Sequence, residues 1–147
     1  LGDVYKRQTL RRADFAAFND IFVHTVSELL DDDALQRVLH SDGQLRAQDM
    51  NLALAETLRN AGPWGQGFPE PLFEGEFEVV NRRIVGEHHL KLVLKTGNTS
   101  IDAIAFRTTD EGWPAEVRQV RAVYKLDVNE FNGTRSAQCV VEYIEPV

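Results

Sequence analysis

The sequence predicts a mainly β chain with N-terminal helices, an α+β arrangement in which two helices and a short strand precede a five-stranded antiparallel barrel. Three observations carry this. Apolar residues recur at three- and four-residue steps before residue 61 and at two-residue steps after residue 72. Between the two regimes lies Ala61-Gly62-Pro63-Trp64-Gly65-Gln66-Gly67-Phe68-Pro69-Glu70-Pro71-Leu72, with three of the chain's five prolines and three of its ten glycines. Proline removes a donor and glycine permits positive φ, so neither helix nor central strand crosses this run. Finally, the last 75 or so residues hold five alternating runs without a long helical crossover between them, which disfavours a parallel sheet. The organisation is therefore a tail (1–8), a helical part (9–60), a Gly/Pro/aromatic joint (61–72) and a barrel (73–147).

Leu1 to Gln8, LGDVYKRQ, has no periodicity continuous with the residues after it and resembles a translated adaptor. It is set aside as a non-native tail, which makes the chain a fragment whose natural start lies upstream. From Ala13 to Leu30 the residues Phe15, Phe18, Phe22, Val26 and Leu29 form one helical stripe, widened by Ile21 and Leu30. Asp14 suits the positive end of that helix dipole. The Phe15/Phe18/Phe22 stripe is expected to need a partner upstream. His24, beside the stripe, reads as structural. Leu35 to Leu45 suggests a short strand and turn around Ser41-Asp42-Gly43. Asp49 to Asn60 reads as a second helix with Leu52, Leu54, Ala55 and Leu58 apolar, stopped by Gly62 and Pro63.

The predicted strands are Phe73–Val85, His88–Lys95, Ser100–Arg107, about Arg118–Val128, and Ser136–Ile144. An irregularity is expected near Val79-Val80, and Gly75 marks a bend or bulge. Thr96-Gly97-Asn98 and Asn132-Gly133 are hairpin turns, since Asn and Gly tolerate positive φ. Residues 108–116 form a polar loop. A small antiparallel set of this kind favours an OB-type barrel, with an open five-stranded sheet as the alternative.

Composition narrows the function classes. Hydrophobic content of 43% with 27% charged residues fits a folded, soluble domain. No apolar run approaches the roughly 20 residues of a membrane helix, and the lone Cys139 rules out an internal disulfide and fits a reducing compartment. Asp31-Asp32-Asp33 reads as a solvated loop. Adjacent His88 and His89 point to opposite faces of a strand, so with Glu87 they do not make a metal site. Gly65-Gln66-Gly67 lacks the preceding strand and following helix of a dinucleotide loop. Cys139 sits in an apolar run, and no serine occupies a nucleophile elbow. The chain thus carries no catalytic constellation, no metal site and no cofactor of its own.

Charge points elsewhere. The net charge is -7, yet residues 80–125 carry eight Lys/Arg against five acids. In the second strand Leu90, Leu92 and Leu94 share one face and His89, Lys91, Val93 and Lys95 the other. In the fourth, Val120, Ala122, Tyr124, Leu126 and Val128 oppose Arg121, Val123 and Lys125. A row of cations suits phosphates, and single-stranded bases also need stacking planes. The conspicuous aromatics Trp64, Phe68 and Trp113 fall in loops. Two readings stay open on pattern alone, a nucleic-acid face or the solvated outer face that every small barrel has.

Gly62 to Phe73, GPWGQGFPEPLF, resembles the loop that introduces the C-terminal OB domain of the RecJ family, bacterial single-strand-specific 5′→3′ DNA exonucleases. Val85-Gly86-Glu87-His88-His89-Leu90-Lys91, Asp102-Ala103-Ile104-Ala105-Phe106 and Tyr124-Lys125-Leu126-Asp127-Val128-Asn129-Glu130-Phe131-Asn132-Gly133 are similar to further stretches of it. Ser41-Asp42-Gly43-Gln44-Leu45 resembles the end of that family's DHHA1 region, so the likeness covers about Thr9 to Val147. It implies a cytoplasmic bacterial protein of DNA repair and recombination whose Mn2+ or Mg2+ sits in an N-terminal DHH domain that has no counterpart here. It also implies a barrel that grips single-stranded DNA, with single-strand-binding protein and the catalytic domains as further partners. Strand alternation then selects Arg82, Lys91, Lys95, Arg121 and Lys125 for phosphate contact, with Arg83, His89 and Arg107 secondary. Trp64, Gln66 and Phe68 mark an ordered strap that sets the barrel's angle to the catalytic body. The competing expectation is a structural or protein-docking module.

Overall fold

The computed structural model describes residues 9–30, 38–86, 88–108 and 117–147. Its elements are α1 (Phe15–Leu29), α2 (Leu52–Asn60), β1 (Phe73–Val85), β2 (His89–Thr96), β3 (Thr99–Ala105), β4 (Gln119–Phe131) and β5 (Thr134–Pro146). The five strands close into a barrel in the order β1-β2-β3-β5-β4. Asp31-Asp32-Asp33, Glu87 and Trp113 lie outside the described residues.

Alternation builds the interior as expected: Leu90, Leu92 and Leu94 of β2 and Val120, Ala122 and Tyr124 of β4 are each at most 1% exposed. The Tyr124 ring takes Phe77 edge-on, with centroids 5.6 Å apart. Truncating one of these leucines to alanine typically costs about 2–5 kcal/mol. The β4–β5 hairpin turns through Asn132 (φ 51°) and Gly133 (φ 75°), the left-handed pair that its sequence announces.

The prediction of a wholly antiparallel barrel is corrected. β3 and β5 run parallel, Asp102–Ala105 beside Gln138–Val141, while the other four ladders are antiparallel. Parity requires this, because five strands cannot alternate direction all the way round a closed ring.

β1 serves two neighbours. Phe73–Glu78 pair with β4, and Glu78–Val85 with β2, where the register skips at Val80. The irregularity expected near Val79-Val80 is this bulge, at the point where β1 passes from one partner to the other. No bulge occurs at Gly75, which stays in register opposite Ala122. A Cβ there would stand 3.1 Å from two atoms of the Phe77 ring, so glycine makes room for the core.

α2 packs on the barrel. Leu52, Leu54 and Leu58 lie against the core, and Ala55 and Met50 are buried in it. Asn51 caps the helix by accepting from Leu54 N–H at 3.0 Å. Arg59 donates from Nε and Nη2 to Asp127 Oδ1 at 2.9 and 2.6 Å, and Arg135 meets Glu56 at 2.9 Å. The short strand expected within 35–45 reduces, among the described residues, to one bridge between Gln44 and Glu74. Asp42 tightens it by accepting from Leu72 N–H at 3.0 Å. His40–Val147 thus form a single unit that includes α2 and the joint. α1 belongs to a separate unit; it buries no residue, and Phe18 and Phe22 stack with centroids 5.8 Å apart.

Cys139 is fully buried and its thiol is pushed up to about 12 by loss of solvent. Burial also raises Tyr124, whose hydroxyl lies 4.0 Å from Met50 Sδ. Both groups are neutral when protonated, so the folded state holds these protons more tightly than the unfolded one. Their stabilising contribution is complete below the ordinary thiol pKa of about 8.5 and is lost as pH rises towards the folded value. Urea midpoints should therefore fall from pH 8.5 to pH 10.5, and fall less in Cys139→Ala. The native thiol should resist Ellman's reagent at pH 8; labelling as fast as in urea would contradict its burial.

Candidate nucleic-acid interface

Register determines what the barrel shows outside. Directly opposed residues share a side of the sheet, so Arg83 with Lys91, Val85 with His89, and Val93 with Asp102 all face away from the leucines of β2. The β4–β5 hairpin tip borders the same region. Together they form a cleft of about 640 Å³, lined by Arg83, Val85, Lys91, Asp102 and Ile104 and, from the hairpin, by Asn129, Phe131, Asn132, Thr134, Ser136 and Gln138. Phe131 is 69% exposed at its rim. Such an aromatic surface with no core to fill is available for stacking.

The sequence-selected residues divide. Arg83 and Lys91 line the cleft, and no described residue pairs with the Arg83 guanidinium. Lys91 Nζ lies 2.9 Å from Asp102 Oδ2. Arg82 is directly opposite Leu92, hence on the other side of the sheet from Arg83. The bulge shifts the phase of β1 by one residue, which simple alternation missed. His89 stands edge-on to Phe106 at 5.2 Å, and its Nδ1 accepts from Arg107 N–H at 3.2 Å. Arg107 itself takes a left-handed φ of 55°.

The remaining cations belong to an acidic surface. Glu74, Glu76 and Glu78 are all exposed along β1. Arg121 reaches Glu76 at 2.9 Å and Glu145 at 3.7 Å, and the hydrogen bond to Glu76, then its charge, raises the guanidinium's pKa. Lys125 sits between Glu70 at 3.1 Å and Glu142 at 3.6 Å. Partial burial pulls its pKa down, but the bonds and charges of Glu70 and Glu142 prevail and the net shift is upward. Lys95 meets Glu78 at 3.6 Å. The expected row of cations on β2 and β4 is therefore a mosaic of ion pairs, and the cleft brings together only Arg83 and Lys91.

Sequence reasoning missed Phe131 and Phe106, exposed by 69% and 54%. Each carries a legible signal: Phe131 is out of phase with the inward residues of β4, and Phe106 directly follows the inward Ala105 at the end of β3. The joint is ordered. Gly65 and Phe68 exchange backbone hydrogen bonds at 2.8 and 3.0 Å, Trp64 stacks on Phe68 at 4.9 Å, and Trp64 Nε1 donates to Leu58 O at 3.1 Å. Gln66 is exposed in that turn.

Residues 41–143 match the model of the RecJ OB domain. The chain belongs to this family. It is 44% identical over 144 residues to the single-stranded-DNA-specific exonuclease RecJ of Haemophilus influenzae, covering 95% of this chain and 25% of that protein. The RecJ of Dickeya dadantii is 46% identical over 136 residues, 90% of this chain and 24% of that protein. The chain thus spans about a quarter of the length of these relatives. The crystal structure of RecJ in complex with Mn2+ from Thermus thermophilus shares the fold, with a TM-score of 0.69 at 22% identity over 95% of this chain and 20% of that one. A Mg2+ complex of that protein aligns similarly. Among the described residues no three His, Cys, Asp or Glu side chains are grouped to hold an ion.

The joint yields a stability prediction. Trp64→Ala removes the ring stack and the bond to Leu58 O, and should cost about 1–2 kcal/mol in urea unfolding. Gln66→Ala, whose side chain is exposed, should stay within about 0.5 kcal/mol.

Proposed function

We propose that this chain is the non-catalytic, strand-gripping part of a RecJ-like 5′→3′ exonuclease. Its cleft holds single-stranded DNA and guides it towards a Mn2+- or Mg2+-dependent phosphodiesterase site carried outside these residues. The observation that carries this reading is the cleft itself, with an exposed aromatic at its rim and two cations and several amides along its walls. Barrels of this fold seat oligonucleotides on the face of strands 2 and 3, between the first and last hairpin loops. Phe131 would stack a base, Arg83 and Lys91 would meet phosphates, and Asn129, Asn132 and Gln138 would bond base edges or sugar. The names of the relatives, which specify single-stranded DNA, support the substrate. Such an enzyme works in the bacterial cytoplasm, and no helix among the described residues is long and apolar enough to cross a membrane.

A second reading is favoured by the acid-rich side of the barrel around β1, where Glu74, Glu76, Glu78 and Glu145 outnumber Arg121 and Lys95. Here the barrel docks against the catalytic part or single-strand-binding protein.

Fluorescence anisotropy of labelled oligo(dT) with the 147-residue chain at low salt separates the two. Phe131→Ala and Arg83→Ala should each weaken binding about fivefold or more, as loss of one stacked base or one phosphate contact does. Arg121→Ala and Lys125→Ala, whose cations are already engaged by acids, should change it less than about twofold. Binding that is undetectable, or indifferent to Phe131 and Arg83, would favour docking.

A further inference from the structure

Asp102 is the only carboxylate among the described residues that line the cleft, and it stands where a polyanion would be least welcome. It lies across β3 from Gln138 and across β2 from Val93, one step diagonally from Lys91, which it meets at 2.9 Å. The pair is partly shielded, with side chains 25% and 38% exposed, so water and salt weaken it less than a fully exposed pair. Arg83 sits directly opposite Lys91, and like charges so placed repel. Asp102 offsets that repulsion.

We propose that Asp102 also acts on the ligand, as a built-in competitor of phosphate for Lys91 that sets how tightly, and with what salt dependence, the cleft holds a strand. The inference rests on the reading of this cleft as the seat of single-stranded DNA. When a phosphate reaches Lys91 Nζ it replaces one anion by another, and the ammonium leaves Asp102 as it joins the strand. Lys91 displaces a condensed cation from the strand, but the carboxylate it leaves behind draws one back, so net counterion release is smaller and the phosphate gains less than it would from an unpaired lysine. Arg83, without a described partner, gives a full contact; Lys91 gives an exchangeable one. A strand held this way can be released and regripped one phosphate on without a large barrier, which suits DNA that must advance through the site. Asp102 is thus a positioning residue acting through Lys91.

The test is a double-mutant cycle on the 147-residue chain, read by oligo(dT) anisotropy over a range of NaCl concentrations. Asp102→Asn should bind about three- to tenfold more tightly and steepen the slope of log affinity against log salt by about 0.7, the value for one further phosphate contact on a single strand. In a Lys91→Met background the same substitution should give less than half that gain, because the competition has lost its object. Urea midpoints and far-ultraviolet circular dichroism check each variant's fold, and Asp102→Ser replaces Asp102→Asn if the latter unfolds. Unchanged or weaker binding by Asp102→Asn would overturn the inference. So would a full gain in the Lys91→Met background, which would mean simple repulsion of DNA by the carboxylate. If Phe131→Ala still weakens binding in either case, the cleft reading survives alone; if the wild-type chain does not bind, both fall.

Discussion

β1 has to pair with β4 along its first half and with β2 along its second, and the unpaired residue at Val80 lets one continuous strand do both. The bulge increases local twist and shifts the phase of the strand by one residue. Before it Phe73, Gly75 and Phe77 face the core. After it, Arg83 and Val85 fall on the outer side with Lys91 and His89, while Arg82 goes to the side of Leu92. The barrel closes because of this shift, and the cleft acquires Arg83 rather than its neighbour. Fold and candidate site share the same structural cause.

Much of this was legible in the sequence. The strict alternation of Leu90, Leu92 and Leu94, and of Val120 to Val128, reports a half-buried strand whatever surrounds it, and Asn132-Gly133 specifies its turn locally. What failed were features that depend on partners distant in the chain. The parallel pairing of β3 with β5 is a property of ring closure, invisible in either strand. The engagement of Arg121 by Glu76 spans 45 residues, so a pattern that shows cations facing outward cannot show that acids face them. Nor does α2's own periodicity reveal that Arg59 ties it to Asp127 of β4. Phe131, out of phase with β4, and Phe106, just past the end of β3, are a different case, readable without any partner.

α1 marks the limit of periodicity as a guide. Its stripe of Phe15, Phe18 and Phe22 is a helical pattern, and a helix forms there, yet these rings remain exposed within their unit. Periodicity specifies which face is apolar, while burial also needs a second surface. Helix α2 has both: its leucines meet the barrel core, and Arg59 and Glu56 bond to β4 and β5 at its margin.

Under the proposed reading, an acidic chain that holds DNA is less paradoxical once charge is followed residue by residue. Part of the net charge of -7 lies on the outer side of β1, β4 and β5, where glutamates engage Arg121 and Lys125; in the proposed reading these cations have little left to offer a phosphate. Long-range repulsion from that surface disfavours indiscriminate attachment of a polyanion. In the proposed reading attraction is then confined to the cleft, where a stacking ring and a few donors lie together and short-range contacts would outweigh the screened field. A uniformly basic barrel would bind DNA more strongly and over more of its surface. For a module with the proposed task of passing a strand along one path, confinement is worth more than affinity, and the acids contribute to it as much as the cations do.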